Sequence, residues 1–215
     1  MTGRVEQLRD HWWWRPGWQV GARYLTWHLV VDDQPEVCAV VQRYQEALQD
    51  VPVLDVIPRG WLHLTLSGVG FATEVSTAER AAVVDGVARR VSRLPPFSVL
   101  LGGAEVGAEA VVLPVRDLGP FDLLREALRG GASDALGPDR VADRASSFRP
   151  HLSVAYVNGT GEAGPVRALL DGAVRPPRTL LDVRAVSLIE LGRDDRRYTW
   201  STTARVPLGP RAEQS

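Results

Sequence analysis

Apolar residues recur along the chain with two different periods. Segments with a period of two and many β-branched or aromatic residues predict strands, whereas apolar residues three and four positions apart predict helices. Strands and helices mixed in the order found here predict an α+β fold. The predicted strands are 23–31, 53–57, 61–69, 97–101, 110–115, 148–157, 179–191 and 196–206, and the predicted helices are 35–50, 75–93, 121–128 and 166–173.

Glycine and short polar residues mark the breaks between these elements. Gly130 and Gly131 predict the end of the third helix. The polar residues 132–147 that follow predict a loop between two lobes. The last two strands are expected to form a hairpin that turns at residues 192–195.

Length and composition are those of an ordinary globular protein. The chain has 215 residues, of which 45% are hydrophobic and 24% charged, so a core can form without a disulfide or a metal. We expect one bilobal domain over residues 21–208, an irregular tryptophan-rich segment at 1–20 and a frayed tail at 209–215. There is no signal-peptide pattern and no apolar run of roughly 20 residues, so a cytoplasmic protein without a membrane partner is expected.

The charge balance narrows the choice of partners. The formal net charge is −1, which disfavours the coating of duplex DNA but allows a short oligonucleotide. The single cysteine, Cys38, excludes an internal disulfide and a cysteine-built zinc site. All 25 basic residues are arginines, so catalysis by lysine is excluded and phosphate contacts must use a planar guanidinium.

Two strands carry the same short motif of histidine, apolar residue, hydroxyl and apolar residue. The first is His63-Leu64-Thr65-Leu66 and the second is His151-Leu152-Ser153-Val154. Because side chains alternate along a strand, each histidine shares a face with its hydroxyl, about 7 Å away. The simplest interpretation is two half-buried histidines that bond neighbouring hydroxyls.

A chemical interpretation of the same motifs is acid–base catalysis at a phosphate. A neutral imidazole can take a proton from water while a protonated one gives a proton to the leaving oxygen. The two hydroxyls can donate hydrogen bonds to phosphate oxygens as charge builds there. Two histidines without a nearby acidic residue are too few ligands for zinc, so no metal and no cofactor are expected.

The two motifs resemble those of the two-histidine (2H) phosphoesterase superfamily, which includes bacterial 2′-5′ RNA ligase-like proteins and 2′,3′-cyclic phosphodiesterases. The resemblance covers nearly the whole chain. It implies two pseudo-symmetric lobes, each an antiparallel sheet flanked by helices, around a central cleft. It also implies that His63 and His151 are the catalytic pair across that cleft and that Thr65 and Ser153 hold the phosphate.

The resemblance also suggests substrate-binding residues. Plant cyclic phosphodiesterases are similar to this chain around Trp27 and Tyr156, and there the matching aromatics line the nucleotide pocket. Strict alternation places Tyr156 on the face opposite His151, so its role requires a bulge in the strand. Arg149 could reach a phosphate or the interface between the lobes. The alternative for both aromatic residues is ordinary core packing.

The remaining histidines and the first tryptophans have two interpretations each. His28 is either a satisfied core histidine or a group near the pocket, and His11 is expected in an aromatic clasp. The tryptophans at 12, 13, 14 and 18 either stack on bases or seal a groove, and both hold if the segment forms one wall of the cleft.

The sequence therefore predicts a metal-independent phosphodiesterase. The expected partner is an RNA end or a small nucleotide that carries a 2′,3′-cyclic phosphate, and the chain is expected to act as a monomer. The same site could work in reverse as a 2′-5′ RNA ligase. Alternatives are another diester, namely a 2′-5′ oligonucleotide, a cyclic nucleotide signal or ADP-ribose cyclic phosphate, and a non-catalytic RNA- or nucleotide-binding module.

Overall fold

A computed structural model describes residues 5–141, 148–172 and 178–210 of the chain. These residues form an α+β fold, as the sequence predicts. Its elements in chain order are β1 Gln7–Leu8, β2 Tyr24–Val30, α1 Pro35–Leu48, β3 Leu54–Val56, β4 His63–Phe71, α2 Thr77–Val91, β5 Phe97–Leu100, β6 Glu105–Val106, β7 Ala110–Pro114, α3 Gly119–Leu136, β8 His151–Val157, β9 Gly161–Glu162, α4 Ala163–Gly172, β10 Leu180–Val183, β11 Ala185–Gly192 and β12 Thr199–Pro207.

The first large sheet contains four antiparallel strands in the order β12-β11-β2-β4. Its strands come from both ends of the described chain. Leu25, Trp27 and Leu29 of β2 pack into the core on one face. Thr26 and His28 lie on the opposite face, which borders the cleft between the lobes.

The second large sheet also contains four antiparallel strands, in the order β3-β8-β7-β6. Its strands come from the middle of the chain. The helices α1 and α4 pack on this lobe, whereas α2 and α3 pack on the first sheet. The strands β4 and β8, one from each sheet, approach each other, and both begin with a histidine. This arrangement brings the two sequence motifs to one place.

The predicted end of the third helix is wrong. The helix α3 runs through Gly130 and Gly131 to Leu136. A Cβ atom on Gly131 would lie 2.5 Å from the Val87 nitrogen, and one on Gly86 would lie 2.6 Å from the Gly131 oxygen. The two glycines therefore allow α2 and α3 to cross with their backbones in contact, and Gly131 serves this crossing instead of a helix end.

We expect Gly131→Ala to lower the free energy of unfolding by about 1–3 kcal/mol, because the added methyl meets the backbone of α2. Gly164→Ala in α4 is the matched control, since a Cβ there has nothing within 4 Å. It is expected to be neutral or to stabilise by up to about 1 kcal/mol. Urea unfolding measures both values, and equal midpoints would contradict the close helix crossing.

Two other predicted boundaries change. The predicted strand 179–191 is two strands, because β10 pairs with β5 whereas β11 pairs with β2 and β12. The predicted loop between the lobes begins inside α3, and its residues 142–147 lie outside the described part of the chain. The last residues of the predicted tail, 211–215, also lie outside it.

No helix within the described ranges combines the length and apolar character needed to cross a membrane.

Candidate active site

A cleft of about 570 Å³ lies between the two large sheets. All four histidines of the chain line it, although they are far apart in sequence. Hydroxyl, aromatic and arginine side chains surround them. The lining residues are His11, Arg15, Trp18, Tyr24, Thr26, His28, His63, Thr65, Gly68, Glu109, Ala110, His151, Ser153, Tyr156, Leu191, Arg193 and Tyr198.

His63 begins β4 and is largely buried in the wall of the cleft. Its Nδ1 atom lies 2.9 Å from the carbonyl oxygen of Trp61. A carbonyl only accepts hydrogen bonds, so Nδ1 carries a proton and Nε2 is the bare nitrogen of the neutral ring. Burial lowers the pKa of His63 to about 4; the Trp61 carbonyl partly opposes this shift, and His151 adds to it.

His151 begins β8 and has the same local arrangement. Its Nδ1 atom lies 2.7 Å from the carbonyl oxygen of Arg149, two residues earlier, as Trp61 is two residues before His63. The Nδ1 atom therefore donates, and Nε2 is left for a ligand. Unlike His63, His151 is exposed to solvent. The two lobes thus present matched histidines in unequal surroundings.

The two motif hydroxyls line the same cleft. Thr65 is exposed to it, and its Oγ1 atom lies 3.1 Å from Nε2 of His28. Ser153 is buried and, like Tyr156, lines the cleft. The structure therefore brings together the four motif side chains that the sequence singles out.

Of the three predicted substrate-binding residues, Tyr156 lines the cleft, whereas Trp27 and Arg149 do not. Trp27 is fully buried in the core and does not line the cleft, because its neighbours Thr26 and His28 occupy the cleft face of β2. Arg149 does not line it either; its guanidinium donates to the carbonyl of Phe148. Only the backbone carbonyl of Arg149 serves the site, by holding His151.

Tyr156 does reach the cleft, and a β-bulge explains how. Val111 pairs with Ala155 while the next residue, Val112, pairs with Ser153, so Val154 is an extra residue in β8. The bulge reverses the alternation and turns Tyr156 to the cleft side. One face of its ring is covered, since His11 stacks on it at 4.2 Å between ring centroids.

The tryptophan-rich N-terminal segment forms one wall of the cleft, the arrangement in which both interpretations of its tryptophans can hold. His11, Arg15 and Trp18 are its lining residues. Glu109, in the second lobe, holds the segment in place: its carboxylate accepts from Nη2 of Arg15 at 2.7 Å and from the indole of Trp13 at 3.1 Å. Burial, together with the positive charge of Arg15, lowers the pKa of His11 to about 4.

Arg193 is a cleft residue that sequence reasoning missed. It is almost fully buried, with its guanidinium 5.5 Å from the ring centroid of Trp18 and 5.8 Å from that of Tyr198. One nitrogen donates to the carbonyl of His11 at 3.1 Å. Burial lowers the pKa of Arg193, yet a guanidinium stays charged near neutral pH. Nothing local marks this arginine, because tertiary packing alone places it there.

The described residues offer paired imidazoles, two hydroxyls and two arginines around one cavity. Within these ranges no group of three His, Cys, Asp or Glu side chains is placed to hold a metal ion. The Nε2 atoms of His63 and His151 can exchange protons with a ligand between the lobes. The arrangement is suited to acid–base chemistry on an anionic group.

Comparison with known proteins gives a family and a fold. The model of the 2′-5′ RNA ligase superfamily matches residues 33–195, well over half of the chain. A search of curated protein sequences gives no match.

Solved structures share the architecture at low sequence identity. The protein TT0787 of Thermus thermophilus is 20% identical with a TM-score of 0.65, and the match covers 87% of this chain and 98% of that one. Escherichia coli LigT in apo form is 19% identical with a TM-score of 0.59 and the same coverage. Its complex with 3′-AMP is 17% identical, with a TM-score of 0.62, again over 87% and 98%. At these identities the likeness shows the fold.

Proposed function

Because this chain belongs to the 2′-5′ RNA ligase superfamily, we propose that it opens 2′,3′-cyclic phosphates of RNA ends or nucleotides without a metal ion. The family match confirms the resemblance drawn from the two motifs, and family and fold together indicate a 2H phosphoesterase. The observation that carries the proposal is the matched pair His63 and His151, each fixed through Nδ1 by a backbone carbonyl at the edge of one cleft.

The proposed reaction is attack of water on the phosphorus of the cyclic phosphate. Neutral His63 accepts a proton from the water at Nε2, while protonated His151 donates one to the ribose oxygen that leaves. One P–O bond to water forms and one ring P–O bond breaks, so the product is a phosphomonoester. Thr65 and Ser153 donate to the non-bridging oxygens as negative charge grows on them.

The unequal surroundings of the two histidines assign their roles in this proposal. Burial keeps His63 neutral near pH 7, because its pKa is about 4, so it is ready to accept a proton. With His63 as the base, the exposed His151 on the other lobe is left as the proton donor. Sequence reasoning left this choice open.

The rest of the cleft is suited to a nucleotide. Its volume of about 570 Å³ lies in the range of roughly 300–1,000 Å³ that is usual for small-molecule pockets. Arg193 supplies positive charge for phosphate, since the charge of Arg15 is paired with Glu109. Half-buried Trp18 supplies an aromatic surface for a base. Escherichia coli LigT has been crystallised with 3′-AMP, which supports a nucleotide as the ligand of this protein.

A second, smaller pocket favours an RNA end over a mononucleotide. It measures about 140 Å³ and shares Tyr156 and Tyr198 with the cleft. Trp12 and Trp61 also line it. This volume is too small for a whole nucleotide by the usual range but suits one ring system. We propose that it receives the base of the nucleotide before the cyclic phosphate.

The test is turnover in EDTA of the four nucleoside 2′,3′-cyclic monophosphates and of a dinucleotide that ends in the same group. We expect metal-free hydrolysis to a phosphomonoester, with the larger kcat/KM for the dinucleotide. Stacking of one base is worth about 1–3 kcal/mol. Trp61→Ala, which keeps the carbonyl that holds His63, should therefore lower the dinucleotide-to-mononucleotide ratio of kcat/KM about 5- to 150-fold.

The other outcomes separate the alternatives. Tight binding of all these compounds without turnover would contradict the proposal and favour a binding module. No turnover here but hydrolysis of a 2′-5′ oligonucleotide or of ADP-ribose cyclic phosphate would keep the class of enzyme and replace the substrate. Joining of RNA ends by the wild-type protein would show that the site also works in reverse.

A further inference from the structure

His28 touches the proposed machinery but has no part in the reaction given above. It is fully buried in β2 and pairs across the sheet with Thr65 of β4. Its Nε2 atom lies 3.1 Å from Oγ1 of Thr65. Its ring stacks on that of His63 with parallel planes and 4.4 Å between centroids. One buried imidazole therefore contacts both the proposed base and a proposed phosphate-binding hydroxyl.

The hydrogen bond to Thr65 can run in either direction, and the surroundings of His28 select one. Burial, together with the neighbouring His63, holds the pKa of His28 well below its usual value, so the ring is neutral with a single N–H. Its Nδ1 atom has no hydrogen-bond partner among the described residues. Buried N–H groups without an acceptor are rarer than unpaired acceptors. The proton therefore resides on Nε2, which donates to Oγ1 of Thr65.

This direction decides what Thr65 offers to a ligand. A hydroxyl has one proton and two lone pairs. When one lone pair accepts from His28, the proton remains free to point into the cleft and to donate to a phosphate oxygen. In the opposite tautomer, Thr65 would give its proton to His28 and would present only lone pairs to an anion.

We propose that His28 is a positioning residue that, through its Nε2–H group, directs the hydroxyl proton of Thr65 towards the phosphate. The proposal rests on the proposed function, since it assumes that Thr65 donates to the substrate. It assigns a role to a residue that lies outside both sequence motifs.

A double-mutant cycle tests the proposal. His28→Phe keeps an aromatic ring against His63 but has no donor, and Thr65→Val keeps the branched shape but has no hydroxyl. We expect His28→Phe to lower kcat about tenfold in the wild-type background, as for one lost hydrogen bond. We expect no further loss in the Thr65→Val background, because the hydroxyl that His28 directs is then absent. Equal losses in both backgrounds would overturn the proposal.

Two further variants separate direction of the proton from simple packing. His28→Gln retains an N–H donor and should recover part of the lost kcat, which a purely structural role would not explain. Ser187→Ala is the matched control: Ser187 is buried and pairs with His28 on its other side in the sheet, and it does not line the cleft. It is expected to leave kcat unchanged.

Nitrogen-15 NMR of the wild-type protein at neutral pH tests the same point without any variant. The expected spectrum shows His28 as the tautomer protonated on Nε2. Protonation on Nδ1 would overturn the proposal, even if His28→Phe failed to fold. A wild-type protein that hydrolyses no cyclic phosphate would instead contradict the proposed function, and the tautomer would still be measurable.

Discussion

Alanine in place of His63 or of His151 is expected to lower kcat for cyclic phosphate hydrolysis by about 10²–10⁴ in each case. Each variant removes one of the two proton transfers. Because the two residues act as a unit, the variant that lacks both should lose little more than the worse single one. Steady-state kinetics in EDTA measures the three losses, and thermal melting checks that each variant is folded.

The pH dependence of kcat/KM gives an independent check of the same pair. Activity should rise with pH through about 4 as His63 loses its proton and becomes a base. It should fall at higher pH, because the general acid must carry its proton in order to donate it. In the profile of kcat/KM against pH, His63→Ala should remove the rise on the acidic side and leave the fall at higher pH. A profile that is flat from about pH 5 to 9 would contradict acid–base catalysis by these residues.

Loss of either motif hydroxyl is the second large effect. Thr65→Val and Ser153→Ala should each lower kcat by about 10²–10³, the usual cost of one donor at a developing negative charge. KM should change much less, because the hydrogen bonds strengthen as the phosphate gains charge. Separate measurement of kcat and KM distinguishes this result from a simple loss of affinity.

Thr65→Ser is the control for the first of these variants, because it restores a hydroxyl at the same position of β4. It should recover most of the kcat that Thr65→Val loses. An increase in KM at constant kcat, for either hydroxyl, would mean that the group binds substrate and transition state equally. The proposed stabilisation of charge would then be wrong.

The two motif strands could be predicted from the sequence because the alternation of side chains depends only on residues within the same strand. Alternation alone puts His63 and Thr65 on one face, and the structure has them there. Tyr156 shows the limit of the same rule: an extra residue at Val154 reverses the alternation, and no local pattern announces it. For Trp27, alternation predicts that Thr26 and His28 share the opposite face of β2. It does not predict which of the two faces borders the cleft.

The other differences between prediction and structure arise where tertiary contacts determine the end of a helix or the position of a side chain. A pair of glycines resembles a helix end, yet Gly131 permits a helix crossing that depends on Gly86, far away in sequence. Arg193 becomes part of the site only because distant strands fold against each other. A residue of this kind carries no motif, so a single sequence cannot reveal it.

The order of strands in the first sheet has a consequence for biosynthesis. Tyr24 in β2 pairs with Leu191 in β11, so one edge of β2 has no partner until most of the chain has left the ribosome. The strands of the second sheet all lie between residues 54 and 157, so that sheet can assemble earlier. Pairing over such a sequence separation is slow. The cleft therefore forms late in folding. A chain that ends before β11 contains both histidine motifs but cannot complete the first sheet that lines the site.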